Sequence, residues 1–281
     1  MFSRLIVGID GSEPSKVSLG LACRLAGEHG SELVLCHAAD RRKADDGGVL
    51  AQAVEEARRS GIAATERLVD AEPVAALVGV AAERSPSLIV MGTHGRTGVE
   101  RLLLGSTTEA VLSVSPVPVL TVGSAVNVAP APRRCFQRIA VGLDESAPSE
   151  AAVGTVFGFP PEDRLELIFY SIVDGAGQYD RASGVVEKAI ALARAREITA
   201  RGHVSVGKAA EALIAASKGI VHEGKGNGAL APARVVESEA DLIVLGSRGK
   251  GATRKGLGSV VASVVRGAPM PVLVTCDQSR P

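Results

Sequence analysis

The sequence has 281 residues, of which 46% are hydrophobic, 22% are charged and 2% are aromatic. Its 31 basic and 31 acidic residues cancel, so it lacks the positive charge that attracts nucleic acid or an anionic membrane surface. It shows no signal-peptide pattern and no apolar run approaching a membrane span, so we expect a cytoplasmic protein without nucleic-acid or membrane partners.

Four segments of the first half recur in the same order in the second half, which indicates a duplicated domain. They are RLIVGIDG (4–11) with RIAVGLDE (138–145), LIVMGTHG (88–95) with LIVLGSRG (242–249), LLLGST (102–107) with GLGSV (256–260), and SPVPVLTV (115–122) with APMPVLVT (268–275). We therefore predict a first domain over 1–126, a linker rich in Pro, Ala and Gly over 127–136, and a second domain over 137–281.

Strands and helices alternate along the first half. The predicted elements are a strand at RLIVGI, a helix carrying Val17, Leu21, Ala22 and Leu25, a strand at ELVLCHA, a helix carrying Leu50, Ala53, Val54 and Ala57, a short strand near GIAATERLV, a helix from about Pro73, a strand at SLIVM, a helix after Gly105 and a strand at VPVLTV. This alternation predicts an α/β fold with a doubly wound, mostly parallel, Rossmann-like sheet of strand order 3-2-1-4-5.

The second half follows the same plan through about Leu192 but is longer. Asp144 follows Asp10 by 134 positions and Gly246 follows Gly92 by 154, so 154 − 134 = 20 extra residues lie between these two points. Apolar residues fall on one helical face in the stretch that follows, namely Val206, Ala209, Ala210, Leu213 and Ile214. We therefore expect the insertion to be helical, to lie between about His203 and Lys218, and to lie away from any ligand.

The repeated motifs fall where doubly wound sheets bind ligands, beyond the carboxyl ends of the strands at the point where strand order reverses. Asp10 and Asp144 follow the first strand of each half, and Gly92 and Gly246 end the fourth. Since order 3-2-1-4-5 makes these strands neighbours, each Asp is expected to face a glycine loop across one crevice.

The glycine loop of the first half suits a phosphate chain. Gly92 and Gly95 are expected to turn the backbone with positive φ, and Gly105 precedes a helix whose N-terminal amides attract anions. Further candidate donors follow or lie within the loop, namely Ser106, Thr107, Thr108 and His94. The alternative is that the glycines only make turns and Ser106 only caps a helix. Recurrence of the pattern with an Asp in both halves favours binding.

The spacing of the loop resembles the ATP-binding signature of the universal stress protein family. The match consists of Gly92, two intervening residues, Gly95, nine intervening residues and then Gly105-Ser106. Three further features are also similar to the family, namely Asp10, His37 and the Val-Pro-Val at 117–119. The resemblance implies adenine beside Asp10 and the backbone of Ala38, ribose beside Met91 and Gly92, and phosphates held by Gly95, Gly105, Ser106 and Thr107. The duplication resembles the family's tandem members, and the resemblance implies a pseudo-two-fold pair whose last strands meet antiparallel.

The second half departs from the signature, because eight residues instead of nine separate Gly249 from Gly258. Its nucleotide-binding candidates by the same correspondence are Asp144, Leu245, Gly246, Gly249, Gly258, Ser259 and Val260. Lys250, Arg254 and Lys255 add positive charge to this shorter loop. We expect it to bind ATP more weakly than the first half.

These features predict an ATP-binding stress-response or regulatory protein in which nucleotide, with or without Mg²⁺, controls conformation or binding of a protein partner; a homodimer is also compatible. Two alternatives stay open: a slow ATPase or phosphotransferase using Asp10 and a divalent metal, and a module whose loops bind nothing. ATP turnover would favour the first alternative, and failure of either half to bind nucleotide would favour the second. The sequence contains no dinucleotide-binding GxGxxG after either first strand, no Walker loop and no GxSxG elbow.

Overall fold

The computed structural model of the protein describes residues 2–39, 46–84, 86–94, 104–123, 126, 135–159, 165–221, 234–235, 240–249 and 256–276. The chain divides into two compact units, with the boundary between Cys135 and Phe136. Each unit alternates strands and helices, as the duplication predicts. The pseudo-two-fold pairing of the units stays a prediction.

The first unit is a parallel sheet in the predicted order, β3-β2-β1-β4-β5. Its strands are β1 (Arg4–Gly8), β2 (Glu32–Ala38), β3 (Ala64–Val69), β4 (Ser87–Gly92) and β5 (Val119–Val122). Its helices are α1 (Glu13–His29), α2 (Asp46–Arg59), α3 (Pro73–Ala82) and α4 (Ser106–Val114). The carboxyl ends of β1 and β4 therefore lie side by side.

The second unit has the same arrangement, with parallel order β8-β7-β6-β11-β12. Its strands are β6 (Arg138–Leu143), β7 (Glu166–Val173), β8 (Thr199–Val206), β9 (Ile220–Val221), β10 (Arg234–Val235), β11 (Leu242–Gly246) and β12 (Val272–Thr275). Its helices are α5 (Ala147–Val156), α6 (Tyr179–Arg194, preceded by a 3₁₀ turn at Ala176–Gln178), α7 (Ala209–Ser217) and α8 (Ser259–Gly267).

The central strands are continuous runs of Val, Leu and Ile because helices cover both faces of the sheet. Ile6, Val34 and Ile89 of the first unit are completely buried, as are Ile139 and Val244 of the second. Aliphatic side chains build most of each core, and the second core also contains the completely buried ring of Phe169. Within the described ranges, no helix combines the length and apolar composition that crossing a membrane requires.

Local signals fix where α1 and α5 begin, and so how the chain leaves β1 and β6. The Ser12 hydroxyl accepts a hydrogen bond from the Ser15 amide, which caps the start of α1, and Gly30, with φ of 65°, caps its end. Ser146 caps α5 in the same way by accepting from the Ser149 amide. Each helix begins with a proline in its first turn.

The prediction that the insertion is a helix over about His203–Lys218 is wrong. Val206 belongs to β8, where it pairs with Val173, and α7 occupies the position that α3 has in the first unit. The helical spacing of apolar residues across 206–214 therefore spans the junction of a strand and a helix.

The extra residues lie after α7. β4 begins 87 − 82 = 5 positions after α3 ends, whereas β11 begins 242 − 217 = 25 positions after α7 ends. The difference of 20 equals the surplus counted from the motifs. β9 and β10 pair antiparallel within this stretch, and the amide of Ala240 donates a 2.8 Å hydrogen bond to the Ser217 carbonyl.

Candidate functional site

Asp10 lies in the short loop between β1 and α1, and the first turn of α1 orients it. The Ser12 amide donates to Asp10 Oδ1 at 2.9 Å, and the Asp10 amide donates to Ser15 Oγ at 3.2 Å. Ser15 Oγ in turn donates to the Gly8 carbonyl. The helix cap and the end of the strand therefore hold the carboxylate in a fixed position.

His37 supports this loop from β2. Its ring is buried, and Nδ1–H donates to the carbonyl oxygen of Ile9 at 2.5 Å. In the second unit Ser171 Oγ donates to the carbonyl of Leu143 at 3.1 Å. Different side chains thus make the same bond to the residue that precedes each Asp, which gives His37 a structural role.

The end of β4 contacts the start of α1 so closely that only glycine fits at position 92. A Cβ there would lie 2.6 Å from Cβ of Pro14 and 2.9 Å from its carbonyl carbon. Gly92 does not have a positive φ, so the expected reason for this glycine is wrong and close backbone packing replaces it. Gly95 lies outside the described residues.

The N-terminus of α4 has no side-chain cap. Gly105 is the cap residue, and its own amide donates to the Thr93 carbonyl at 2.9 Å. The buried Thr108 donates its hydroxyl to the Gly92 carbonyl at 3.0 Å, so this proton is not offered to a ligand as the sequence analysis expected. The uncapped amides of the first turn form an anion-attracting surface.

A cavity of about 220 Å³ opens at the carboxyl ends of β1 and β4. It is lined by every first-half candidate that the structure describes, namely Asp10, Ala38, Met91, Gly92, His94, Gly105, Ser106, Thr107 and Thr108. Ala76 and Leu77 of α3 also line it; the helical pattern after Pro73 was the signal for them, but it did not show that they reach the site.

Two further side chains of this cavity have distinctive chemistry. Thr93 Oγ1 lies 2.9 Å from His94 Nδ1, while His94 Nε2 is buried without a hydrogen-bond partner among the described residues. A ligand atom could satisfy that nitrogen. Burial raises the pKa of the Cys36 thiol to about 11, so the thiol is neutral at physiological pH.

Asp144 occupies the same place in the second unit with tighter surroundings. The Ser146 amide donates to Asp144 Oδ1 at 3.1 Å, and Ser146 Oγ lies 2.6 Å from the same oxygen and 3.2 Å from the Arg248 carbonyl. A Cβ at Gly249 would lie 2.7 Å from Asp144 Oδ2. The loop after β11 therefore packs directly against this carboxylate.

Two adjoining cavities of about 620 and 90 Å³ open beside Asp144. Together they are lined by all of the second-half candidates, namely Asp144, Leu245, Gly246, Gly249, Gly258, Ser259 and Val260. Lys250, Arg254 and Lys255 lie outside the described residues. Ala209 and Leu213 of α7 line the cavities too, so the helix expected away from the site is part of it.

Sequence reasoning missed an ion pair in the larger of these cavities. Glu145 stands where the first unit has Gly11, and both have positive φ, 64° and 79°. Arg181 Nε lies 2.6 Å from Glu145 Oε1, and both side chains line the cavity. The Gly-to-Glu change is visible when RLIVGIDG is set beside RIAVGLDE; nothing in the motifs points to Arg181.

Neither unit assembles a metal site from protein side chains in the part of the chain that the structure describes, because no three His, Cys, Asp or Glu come together. Asp10 is the single carboxylate among the described lining residues of the first cavity. One carboxylate suits Mg²⁺ only when a ligand supplies further oxygens, as nucleotide phosphates do.

Comparison with known proteins agrees with this architecture. The model of the Universal stress protein family matches residues 1–123 and 136–275. Universal stress protein YxiE of Bacillus subtilis is 29% identical over 147 residues, which are 43% of this chain and 99% of that protein. Universal stress protein Rv2005c of Mycobacterium tuberculosis is 27% identical over 214 residues, which are 74% of this chain and 67% of that protein.

The crystal structure of a universal stress protein from Archaeoglobus fulgidus has the same fold, with a TM-score of 0.72, 22% identity and coverage of 98% of each chain. The family model matches twice, once over each unit, and the two matches together span nearly the whole chain. The chain therefore belongs to the universal stress protein family and carries two consecutive copies of its domain.

Proposed function

We propose that the chain is an adenine-nucleotide-binding regulatory protein of the stress response, in which ATP in the first cavity controls conformation or partner binding. The observation that carries this proposal is the N-terminus of α4. Its cap, Gly105, offers no side-chain oxygen to the first-turn amides, and the same cavity is lined by the Asp10 carboxylate.

The phosphate end of the ligand would lie against α4. Amides of the first helical turn have no partner within the helix, and the helix dipole favours negative charge there. Ser106 is exposed and Thr107 half-buried, so their hydroxyls supply further donors at the same place. Gly105 has no side chain to separate phosphate from these amides.

The nucleoside end would lie between Asp10 and α3. The carboxylate of Asp10 accepts a bond from the Ser12 amide, and a carboxylate can accept several bonds at once, which suits donors of the ligand. Ala76, Leu77 and Met91 are apolar lining residues against which a base can pack. Where Mg²⁺ accompanies the nucleotide, the phosphate oxygens at α4 would supply its ligands.

Titration of ATP into the full chain tests the proposal. Asp10→Asn keeps the size of the side chain and removes its charge, and we expect it to weaken binding about tenfold, the effect of losing one charge-assisted hydrogen bond. Glu13→Gln is the control, because Glu13 is exposed at the start of α1 beside Lys16. Absence of ATP binding, or equal affinity of Asp10→Asn and wild type, would contradict the proposal.

The same samples separate regulation from catalysis. Mass spectrometry of the protein as purified identifies any nucleotide that accompanies it. Phosphate release is then followed with Mg²⁺ present. Turnover that the Asp10→Asn variant abolishes would favour the slow ATPase or phosphotransferase instead, whereas binding without turnover supports a regulatory role.

A further inference from the structure

The two units can be aligned at the place where the nucleoside end of a ligand would lie. His37 in β2 and Ser171 in β7 each donate to the carbonyl of the residue that precedes the Asp of their unit. These two residues therefore correspond, and so do the residues on either side of them. Strand pairing agrees, because the residue before each of them pairs with the glycine of the first strand, Gly8 or Gly142.

The side chains on either side of Ser171 are larger than their counterparts in β2. Tyr170 takes the place of Cys36, and Ile172 takes the place of Ala38. All four of these residues line the cavity of their own unit. The second unit thus has a phenol ring and a branched aliphatic chain where the first unit has a thiol and a methyl group.

Tyr170 is held in this position by its neighbours. Only 5% of its surface is exposed, and its ring stacks on that of His203 in β8, with ring centroids 5.4 Å apart and ring planes 20° apart. Turning the ring out of the cavity would break this stack and expose its apolar surface to water, which costs free energy. A ligand therefore gains no room here without that cost.

A third side chain fills the floor of the second cavity. A Cβ at Gly142 would overlap a methyl group of Leu245, whereas the atoms nearest to a Cβ at Gly8 are 3.4 Å away, on Leu77 of α3. Leu245 is the counterpart of Met91, whose own Cβ lies 3.6 Å from that point in the first unit. The first unit therefore has room for a methyl group above its glycine, and the second has none because Leu245 fills the space.

The cavity between these residues is correspondingly small. It measures about 90 Å³ in the second unit, against about 220 Å³ for the cavity of the first unit. The adjoining cavity of about 620 Å³ reaches from Asp144 to α6, and its lining there includes Asp174, Gln178 and Arg181. Charged and hydrogen-bonding side chains of this kind suit polar groups better than the flat apolar faces of a base.

We propose that Tyr170 and Ile172 determine ligand specificity by closing the second unit to the nucleobase, so that each chain binds adenine in its first unit only. The proposal rests on the proposed function, which puts the base among the apolar lining residues of the first cavity. It concerns the base alone, because α4 and α8 both begin after an uncapped glycine, Gly105 and Gly258. The units then differ in affinity even where their phosphate ends are alike.

Titrations of the full chain with ATP and, separately, with adenosine test this assignment, since adenosine reports on the base without phosphate. Wild type is expected to bind one of either ligand per chain. The Tyr170→Cys, Ile172→Ala double variant is expected to bind two, with affinity at the new site raised about tenfold or more, the scale on which a hydrophobic pocket discriminates by size. Thermal unfolding checks that the variant is folded, and Ile172→Ala alone, at a half-buried position, takes its place if it is not.

The reciprocal change is made in the first unit. Ala38→Ile narrows the first cavity and is expected to weaken ATP and adenosine binding alike, by about tenfold or more. Ala64→Ile is the matched control, because Ala64 begins β3 and is not among the described residues that line the cavity. Equal losses for the two ligands show that the base, and not the phosphate chain, has been displaced.

Two ATP sites in wild type would overturn the proposal. A folded double variant that still binds one ATP, or an Ala38→Ile variant with unchanged affinity, would also overturn it. In each of these results the chain still binds ATP, so the proposed function survives. A wild-type chain that binds no ATP would overturn both.

Discussion

Thr108 donates its hydroxyl to the carbonyl oxygen of Gly92 at 3.0 Å and so joins the first turn of α4 to the carboxyl end of β4. Thr107, one position earlier, is half-buried and lines the cavity. Two adjacent threonines of one helical turn thus have different partners, one within the protein and one in the space where a ligand would lie.

This difference predicts that the same substitution affects stability at one position and ligand binding at the other. Thr108→Val leaves the Gly92 carbonyl without its donor and is expected to lower the free energy of unfolding by about 1–3 kcal/mol. Thr107→Val is expected to change stability by less than about 0.5 kcal/mol but to weaken ATP binding. Urea unfolding and ATP titration of both variants decide this, and equal destabilisation by the two would contradict it.

Gly92→Ala is expected to disturb both the fold and the site. The new Cβ would overlap Pro14 and push the first turn of α1, with Asp10, away from β4, at a cost of about 1–3 kcal/mol. Gly20→Ala is the matched control, because a Cβ there meets nothing within 4 Å and the change favours the helix by about 0.5–1 kcal/mol. Thermal unfolding should move in opposite directions for the two variants.

Gly105 and Gly258 are expected to differ in their tolerance of a side chain. A Cβ at Gly105 would lie 3.0 Å from the Thr93 carbonyl oxygen, while the nearest atoms to a Cβ at Gly258 are 3.4 Å away. Gly105→Val should therefore abolish most ATP binding by the chain, and Gly258→Val should matter little. Equal losses of affinity, at equal stability, would show that the two units contribute equally.

Asp241 makes the stability of the second unit depend on pH. Burial raises the pKa of its carboxyl from 3.8 to about 6, although the amides of Gln137 and Arg138 donate to it. The pKa of this carboxyl is higher in the folded than in the unfolded chain. The stability that protonated Asp241 contributes is therefore fully present below pH 4 and is lost as pH rises through 6.

The loss attributable to Asp241 is about 3 kcal/mol, since each pKa unit corresponds to about 1.4 kcal/mol. Asp241→Asn should remove it, and unfolding at several pH values measures the difference between the proteins. Carboxyls with a lowered pKa, such as that of Glu83 beside Arg67, titrate alike in wild type and in Asp241→Asn, so their effects cancel in the difference between the two proteins. A difference that does not change between pH 4 and 6 would contradict this assignment.

The sequence predicted the sheet order and the location of the candidate site because the repeated motifs end strands. Asp10 and Gly92 follow apolar runs, and the geometry of a doubly wound sheet brings such ends together. The insertion was misplaced because no repeated motif lies between Asp144 and Gly246, so counting could fix its length but not its position. Val206 and Ala209 then completed a helical spacing that the structure divides between β8 and α7.

The reasons for individual residues were harder to predict than their positions. Gly92 is required by its distance to Pro14, a contact between segments 78 positions apart that no local pattern reveals (92 − 14 = 78). Arg181 reaches the second cavity from α6 only because the sheet places that helix beside the loop of Glu145.

The hydrogen bond between Ala240 and Ser217 closes the extra stretch of the second unit at its base. Both ends of that stretch lie where α7 returns to the amino end of β11, opposite the carboxyl edge that carries Asp144. Chain length can therefore change there at little entropic cost, at the edge of the sheet opposite Asp144. For protein engineering, this junction is the place in the second unit to insert a reporter domain or to shorten the chain.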